Sequence, residues 1–188
     1  MDSQFQNNSN TEAKIERLLE SIFKNINDWL KFAEQKNVTL LVLNTGIVWG
    51  VSRIINRDFL ESVLIITGIS VGYLCNFISI IICIVSFMPI LAGKWFRIGD
   101  KRESDNIFFF HDIAKYSKRE FLELIKKKYG IKEYRFSDIE KDYADQIVNN
   151  ADIALNKYRQ FKIASKFTIL SIIFFIIFTT IVLLGGKL

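Results

Sequence analysis

Residues 167–184, FTILSIIFFIIFTTIVLL, decide the fold of this chain. The stretch contains no charged residue and is rich in β-branched and aromatic side chains. A helix of this length rises by about 27 Å, close to the thickness of a bilayer's hydrocarbon core. The stretch therefore predicts a transmembrane helix, and we assign residues 167–188 to this helix and a short tail.

Two further apolar blocks precede it, at residues 38–56 and 63–91. The first has the length of a single membrane span. The second is too long for one untilted span and too short for two spans joined by a turn, so we predict one long, tilted helix. Residues 38–91 therefore hold two transmembrane helices, and the whole chain holds three.

The composition excludes several classes of protein. Half of the 188 residues are hydrophobic and the mean hydropathy is +0.21, too apolar for most small soluble enzymes. A single Pro and nine Gly argue against low-complexity disorder, and two Cys argue against a disulfide-stapled secreted module. The predicted fold class is an all-α membrane protein, whose last helix is long and continuous into the membrane.

The distribution of Lys and Arg predicts the orientation. Residues 1–37 carry five and residues 92–166 carry seventeen, whereas residues 57–62 and the tail after Leu184 carry one each. Because loops rich in Lys and Arg stay in the cytoplasm, we expect a cytoplasmic amino terminus and a cytoplasmic 92–166 region. The first ten residues, MDSQFQNNSN, are polar, so we expect no cleaved signal peptide.

Residues 1–37 are predicted to be an amino-terminal tail followed by an amphipathic helix from about Thr11 to Lys36. Apolar residues recur there at steps of three and four: Ile15, Leu18, Leu19, Ile22, Ile26, Trp29, Leu30 and Ala33. The polar face carries acidic residues as well as lysines, which is unlike a helix that binds the membrane surface. We therefore expect the helix to pack against other cytoplasmic helices.

The cytoplasmic region, residues 92–166, contains two capping boxes, in which a Ser and a Glu three residues later satisfy each other's free backbone amides. Ser117 with Glu120 predicts a helix that ends at Tyr129-Gly130. Ser137 with Glu140 predicts a second helix start. No Gly or Pro occurs between Asp138 and Gly185, so one helix of about 47 residues is expected to run into the third span.

Catalytic and metal-binding motifs are scarce. His111 is the only histidine, and the chain has no Gly-rich phosphate loop and no His and Cys pair at a metal-ligand spacing. We interpret His111, which is flanked by three Phe and an Asp, as part of a packed turn rather than as a catalytic group. We expect neither an enzyme nor a cofactor nor a metal site.

The second span carries a stripe of small and polar residues along one helix face. Its members recur at steps of four and three: Gly68, Gly72, Asn76, Ser79, Cys83 and Ser86. Such a stripe is typical of helix packing within or between protomers. The alternative interpretation is that it lines a wet path when several protomers associate. In the first span, Gly46 and Gly50 form a second small-residue pair.

Basic residues in the cytoplasmic region allow two interpretations. Lys94, Arg97, Lys101 and Arg102 follow the second span, where they would hold the span in place and meet anionic headgroups, or bind a nucleotide phosphate. Further candidate ligand-binding residues are Arg119, Lys157 and Arg159 for a phosphate, with Tyr158 placed to stack on a base. Solvated helix faces would explain these residues equally well.

Several stretches of the chain resemble a known family. They are Asn106-Ile-Phe-Phe-Phe-His-Asp-Ile-Ala, then SKREF at 117–121, Asp145-Gln-Ile-Val, and Lys157-Tyr158 before the last apolar helix. In order and spacing they resemble the membrane effectors of Pycsar anti-phage systems, over about residues 25 to 185. At the entry to the first span, Glu34 and Asn37 stand where that family has Asp and Ala.

The resemblance implies a bacterial defence protein in the inner membrane. In such systems a partner cyclase makes cyclic CMP or cyclic UMP after infection, and the effector impairs the membrane, so that the host stops growing before phage are released. It implies the bilayer, a pyrimidine nucleotide cyclase and a cyclic pyrimidine nucleotide as partners, without nucleic acid. We also expect a homo-oligomer.

A constitutive membrane scaffold is the alternative function. It would recruit a partner through an apolar stripe on the long cytoplasmic helix, whose spacing suits a helical bundle. The stripe consists of Ile139, Tyr143, Ile147, Ala151, Ala154, Tyr158 and Phe161.

Overall fold

The computed structural model describes residues 2–55, 62–88, 99–131 and 134–184. Within these residues the secondary structure is entirely helical: α1 (Asp2–Ile54), α2 (Val63–Val85), α3 (Phe110–Ile113), α4 (Lys118–Tyr129) and α5 (Asp138–Leu183). Helices α1, α2 and α5 are each long and apolar enough to cross a membrane. The predicted class, an all-α membrane protein with three spans, is confirmed.

The chain forms two compact units. The first unit comprises Met1–Phe32 and Ile90–Asn156, and the second comprises Ala33–Pro89 and Lys157–Leu188. Helices α1 and α5 supply residues to both units, whereas α2 belongs to the second. The domain limits predicted at residues 37, 91 and 166 remain predictions, because the two units are defined by contacts and not by depth in a membrane.

Helix α1 is longer than the amphipathic helix predicted from Thr11 to Lys36. It begins at Asp2 and continues without a break into the first span, ending at Ile54. No Gly or Pro precedes Gly46, so nothing in the sequence interrupts the backbone hydrogen bonds between the two predicted segments. The connection at 57–61 and the tail at 185–188 lie outside the described residues.

The prediction that the second span is helical over residues 63–91 is wrong at its carboxyl end. Helix α2 ends at Val85, and the amides of Phe87 and Met88 donate to carbonyls only three residues back. The residue before a proline is disfavoured in helical geometry, and Pro89 follows directly. The 23 residues of α2 rise by about 35 Å, which suffices for one span. Residues 89–91 lie outside the described part of the chain.

The apolar stripe of α1 is buried in the first unit. Ile15, Leu19, Ile22 and Ile26 are each at most 2% exposed. The Phe23 ring meets the Tyr143 ring of α5 edge-on at 5.7 Å, and Asn150 Nδ2 donates to Asn27 Oδ1 at 2.8 Å. The predicted packing of this helix against another helix is therefore confirmed.

Both predicted capping boxes are present. Ser117 and Glu120 exchange backbone and side-chain hydrogen bonds at the start of α4, which ends at Gly130 in the left-handed conformation, with φ of 67°. Ser137 N donates to Glu140 Oε2 at 2.7 Å, and Glu140 N donates to Ser137 Oγ at 3.3 Å. A hydrogen bond from Lys101 and the bonds from Ser117 lower the pKa of Glu120 to about 2.

A buried ion cluster holds the segment before α4. Lys115 Nζ lies 2.7 Å from Asp105 Oδ1 and 2.7 Å from Asp112 Oδ1. Asp105 Oδ2 also accepts hydrogen bonds from the backbone of Arg102 and from the Tyr116 hydroxyl. Burial acts to raise the pKa of both carboxyls, but the hydrogen bonds they accept outweigh it, and each pKa lies below its ordinary value.

Candidate functional site

The glycines of the predicted polar stripe receive aromatic rings from α5. A methyl group at Gly68 would lie 2.1 Å from the Phe178 ring, and one at Gly72 would lie 2.8 Å from the Phe175 ring. Both approaches are shorter than an ordinary van der Waals contact, so a side chain at either position would force the facing ring to move. Here the stripe permits close packing of α2 on α5 within one protomer.

The polar members of the stripe belong to a buried hydrogen-bonded cluster, which we call the span cluster: Asn44, Asn76, Ser79 and Thr168. Asn44 Nδ2 donates to Ser79 Oγ at 2.9 Å, and Asn44 Oδ1 accepts from Asn76 Nδ2 at 3.2 Å and from Thr168 Oγ1 at 2.9 Å. The hydroxyls of Ser79 and Thr168 lie 2.8 Å apart. The span cluster thus joins α1, α2 and α5 and satisfies polar groups to which lipid would offer no hydrogen bonds.

The remaining stripe residues are also buried. Cys83 packs with Leu40 and Ala164, and Ser86 caps the carboxyl end of α2. These contacts support the interpretation of the stripe as helix packing within the protomer. The wet-path alternative requires several protomers and stays a prediction.

Lys157 lies buried in the second unit. Its ammonium donates to the carbonyl oxygen of Ser86 at 2.8 Å and lies 3.2 Å from Glu34 Oε1. The carbonyls at the end of α2 lack helical partners and carry the negative end of the helix dipole, so a cation there is stabilising. Glu34, the residue that departs from the family's Asp, thus has a structural partner.

Tyr158 and Arg159, the other two predicted ligand-binding residues on α5, are half-buried in the same unit. The Lys36 ammonium lies 5.5 Å from the centre of the Tyr158 ring and 5.4 Å from that of Phe161. These two cation–π contacts stabilise the position of the Lys36 ammonium beside α5. The ligand-binding roles of Lys157, Tyr158 and Arg159 stay predictions.

Arg119 is exposed on α4 in the first unit, where it lines a cavity of about 700 Å³. We call this cavity the basic pocket. Its walls come from α4, from the segment before α5 and from the first turn of α5. The lining residues are Ser117, Lys118, Arg119, Leu122, Glu123, Lys126, Tyr134, Arg135, Phe136 and Lys141.

Local sequence signals position these walls. The Ser117 capping box begins α4, Gly130 ends it, and the Ser137 capping box begins α5. Tyr134, Arg135 and Phe136, just before α5, line the same cavity as α4. Tyr134 is anchored because its hydroxyl donates to Glu140 Oε1 at 2.8 Å. Burial and this carboxylate raise the pKa of Tyr134 above its ordinary value.

The pocket lining carries five cationic side chains and one carboxylate, Glu123. Lys126 lies 3.5 Å from Glu123 and sits over the Phe136 ring at 5.3 Å, and Lys141 pairs with Asp138 at 2.7 Å. Lys118, Arg119 and Arg135 make no salt bridge with any described residue. The arrangement suits an anion with a planar group.

Among these residues, the sequence predicted a ligand-binding role only for Arg119. The others were missed because charges on a helix face and in a connecting segment look like ordinary solvated positions. The two capping boxes could have indicated that the segments 118–126 and 134–141 flank one turn of the chain.

The basic cluster predicted after the second span is described only in part. Lys101 Nζ lies 2.6 Å from Glu120 Oε1 and 5.6 Å from the centre of the Tyr116 ring. Lys94 and Arg97 lie outside the described residues. Lys101 thus contributes to the start of α4, and the headgroup and phosphate interpretations of the cluster both stay predictions.

The stretches of the family resemblance at residues 106–114, 117–121 and 145–148 have structural roles in the first unit. Asn106 N donates to Asp112 Oδ2 at 3.0 Å, and the Trp29 and Phe110 rings lie 5.4 Å apart. Phe121 of the SKREF stretch is fully buried, as is Ile147 of the Asp-Gln-Ile-Val stretch. His111 is partly exposed and stacks on Phe109 at 6.0 Å. Among the described residues, no three His, Cys, Asp or Glu form a metal-binding group.

Comparison with known proteins gives one finding. The family model of the Pycsar effector protein domain, PycTM, matches residues 18–184, which include most of α1, the whole of α2 to α5 and the lining of the basic pocket. No curated protein and no solved structure matches the chain. The chain belongs to the Pycsar effector family and is a transmembrane effector of anti-phage defence.

Proposed function

We propose that this effector answers a cyclic pyrimidine nucleotide, cyclic CMP or cyclic UMP, by impairing the bacterial inner membrane, so that an infected cell stops growing before phage are released. The observation that carries the proposal is the family match over residues 18–184. The proposed role is signal reception and membrane impairment without catalysis. Its functional partner is a pyrimidine nucleotide cyclase.

The proposed orientation places the amino terminus and the first unit in the cytoplasm. The support is the excess of Lys and Arg in residues 92–166, which hold seventeen of the 25 basic residues. Arg53, at the opposite end of the first span, sits over the Trp49 ring at 5.6 Å, an arrangement typical of a membrane interface. A nucleotide made in the cytoplasm would then meet the first unit directly.

Helix α5 is one continuous helix whose residues belong to both units. A nucleotide bound to the first unit could therefore influence the third span through this helix. A ligand shifts an equilibrium only when it binds one state better than the other. We propose a resting state in which the span cluster and Lys157 hold α1, α2 and α5 together, and an active state in which these contacts are rearranged.

We propose that the active form is a homo-oligomer. The small residues of α2 are covered by Phe175 and Phe178, whereas a methyl group at Gly46 or Gly50 of α1 would meet nothing within 4 Å. An uncovered pair of small residues allows the backbone of a second helix to approach closely. The first span therefore offers a face for a second copy of the chain.

Gly46→Leu is expected to weaken self-association at least tenfold, because the added side chain blocks close approach of a second helix, whereas its Cβ would meet no atom of the protomer within 4 Å. Single-molecule photobleaching in bilayers would count the copies. The control is Thr45→Val, an exposed position on a different face of the same helix. A copy number unchanged by Gly46→Leu would exclude this face.

The cellular test uses the effector together with its cyclase. Growth and membrane potential are followed after phage infection with active cyclase, and with a catalytically inactive cyclase as control. Depolarisation that requires both proteins is expected. Normal growth and potential in both strains would contradict the proposal and favour the scaffold.

The scaffold alternative is weakened by the burial of its docking stripe. Ile147, Ala151 and Ala154 are fully buried within the first unit, whereas Ile139 is 64% exposed. A partner would have to displace the intramolecular packing of α5 to reach these residues.

A further inference from the structure

The basic pocket has the size and charge of a site for a small anion. A volume of about 700 Å³ lies in the range of small-molecule sites. Five cationic side chains and one carboxylate, Glu123, line the pocket. Asp138 lies beside it, where it pairs with Lys141 and interacts electrostatically with Arg135 and Lys118. The cations still outnumber these two carboxylates. Like charges gathered in one cavity repel one another, and a bound anion relieves that repulsion. The favoured ligand therefore carries negative charge.

Some cationic residues of the pocket have a salt-bridge partner and others have none, which indicates which of them could contact a ligand. Lys126 and Lys141 are engaged by Glu123 and Asp138. Lys118, Arg119 and Arg135 make no salt bridge with the described residues, although Arg135 and Lys118 interact electrostatically with Asp138 at longer range. A guanidinium offers planar paired donors that match two phosphate oxygens. Arg119 and Arg135 reach the pocket from different walls, the first from α4 and the second from the segment before α5.

The apolar part of the pocket suits a planar ring. Leu122, Tyr134 and Phe136 share the lining with the cations. Tyr134 is restrained at both ends of its side chain, because its hydroxyl binds Glu140 and its ring meets Phe136 edge-on at 5.3 Å. A restrained ring loses little conformational entropy when a base stacks on it.

We propose that the basic pocket binds the phosphodiester of a cyclic nucleotide, with Arg119 and Arg135 on the phosphate and the Tyr134 ring against the base. The identity of the nucleotide rests on the proposed function; the preference for an anion with a ring rests on the pocket. A phospholipid headgroup carries the same phosphodiester group and is the other source of this chemistry.

The test measures binding to the full chain in nanodiscs of zwitterionic phosphatidylcholine. Cyclic UMP, cyclic CMP and cyclic AMP are titrated calorimetrically into wild type, Arg119→Ala and Arg135→Ala. Each variant is expected to raise Kd for the pyrimidine ligand about 10- to 100-fold, as for loss of a charge-assisted hydrogen bond. Lys128→Ala, an exposed position of α4 outside the pocket, is the control and should leave Kd unchanged.

The Tyr134 contact has its own pair of variants. Tyr134→Phe keeps the ring and loses the bond to Glu140, whereas Tyr134→Ala loses both. Weakened binding in Tyr134→Ala with near-normal binding in Tyr134→Phe is expected for stacking. Equal binding by both variants and wild type would remove Tyr134 from the site. Thermal unfolding of each variant is the control, because a variant with the melting temperature of wild type has lost binding and not its fold.

Failure of the pocket proposal and failure of the proposed function would give different results. Tight binding that is unchanged in Arg119→Ala and Arg135→Ala would overturn the pocket and leave the function standing. No nucleotide binding by wild type would also overturn it, and cyclase-dependent growth arrest would then point to a separate sensor. The lipid source is tested with phosphatidylglycerol vesicles in place of the nucleotide. If wild type binds these vesicles but no nucleotide, and both Arg variants lose vesicle binding, the pocket binds a lipid headgroup.

Discussion

Lys115→Met is expected to lower the free energy of unfolding of the first unit by about 3–5 kcal/mol, the usual cost of leaving buried charge uncompensated. Lys115 lies 2.7 Å from both Asp105 and Asp112, and its side chain is 8% exposed. Methionine keeps the length of the side chain but removes the cation. Two carboxylates would then face each other in a poorly hydrated site.

Hydrogen–deuterium exchange over residues 101–116 at increasing urea measures this loss directly, because local opening reports local stability. Lys128→Met is the matched control, since it removes an exposed lysine from α4 and should change stability by less than about 0.5 kcal/mol. Protection of residues 101–116 equal to that of wild type would show that the ion cluster does not hold this segment.

The dependence of stability on pH is a second test of the ion cluster of Asp105, Asp112 and Lys115. The pKa of Asp105 and of Asp112 is below the ordinary 3.8, so their contribution is present above that pH and is lost as the pH falls through the lowered values. The pKa of Lys115 is raised above 10.5, so its contribution is lost only as the pH rises beyond that value. Wild-type stability should therefore be flat, as far as these three groups are concerned, between pH 7 and pH 5.

Lys115→Met reverses that behaviour. Without the cation, burial and mutual repulsion raise the pKa of the two carboxyls, so acidification from pH 7 to pH 5 should partly restore stability as one of them binds a proton. Hydrogen–deuterium exchange at pH 7 and pH 5, corrected for the intrinsic exchange rate of the amides, shows whether the stability of the variant rises or falls on acidification. Further destabilisation of the variant at pH 5 would contradict the role assigned to Lys115.

Asn44→Leu is expected to destabilise the association of the three spans by about 2–3 kcal/mol. The change removes the bonds from Asn76 and Thr168 and the bond to Ser79, and interhelical hydrogen bonds in membranes contribute about 0.6 to 1.7 kcal/mol each. Leucine has a similar size, so the loss comes mainly from polar groups left without partners. Asn76 is the most affected, because its Oδ1 already has no partner among the described residues.

Unfolding in mixed detergent micelles measures this loss. Thr45→Val is the matched control, because the Thr45 hydroxyl is exposed and bonds only the Leu41 carbonyl of its own helix at 2.9 Å. It should leave the stability of the spans unchanged. Equal stability of Asn44→Leu and Thr45→Val would show that the span cluster does not join the helices.

Asn76→Leu separates the two interpretations of the polar stripe. If Asn76 packs the helices, the change lowers stability as Asn44→Leu does, and toxicity changes only in step with that loss. If Asn76 lines a wet path, toxicity disappears while the stability of the spans is retained. The contacts of Asn76 within the protomer support the first result.

The sequence predicted the features that depend on short spacing. Both capping boxes, the stop at Gly130 and the buried stripe of α1 follow from residues one to four positions apart, and the structure has each of them. The end of α2 was misplaced because hydropathy continues to Leu91, whereas backbone geometry before Pro89 ends the helix at Val85.

Features that join distant segments could not be predicted in this way. Asn44 was not singled out, because one Asn in an apolar stretch has no periodic partner, and its partners lie 32, 35 and 124 residues away. Similarly, Arg119 was one candidate phosphate contact among several until the segment before α5 placed Arg135 and Tyr134 in the same cavity. Charge patterns indicate what a residue can bind but not which residues meet.

A pyrimidine cyclic nucleotide is expected to make this effector impair the membrane. Dye leakage from liposomes that contain only the purified chain measures this effect, with cyclic CMP, cyclic UMP, cyclic AMP or no ligand added. Leakage with a pyrimidine cyclic nucleotide, and none with cyclic AMP or without ligand, is the predicted result, and Arg119→Ala should suppress it. Equal leakage under all four conditions, or none under any of them, would contradict direct gating of this chain by the nucleotide.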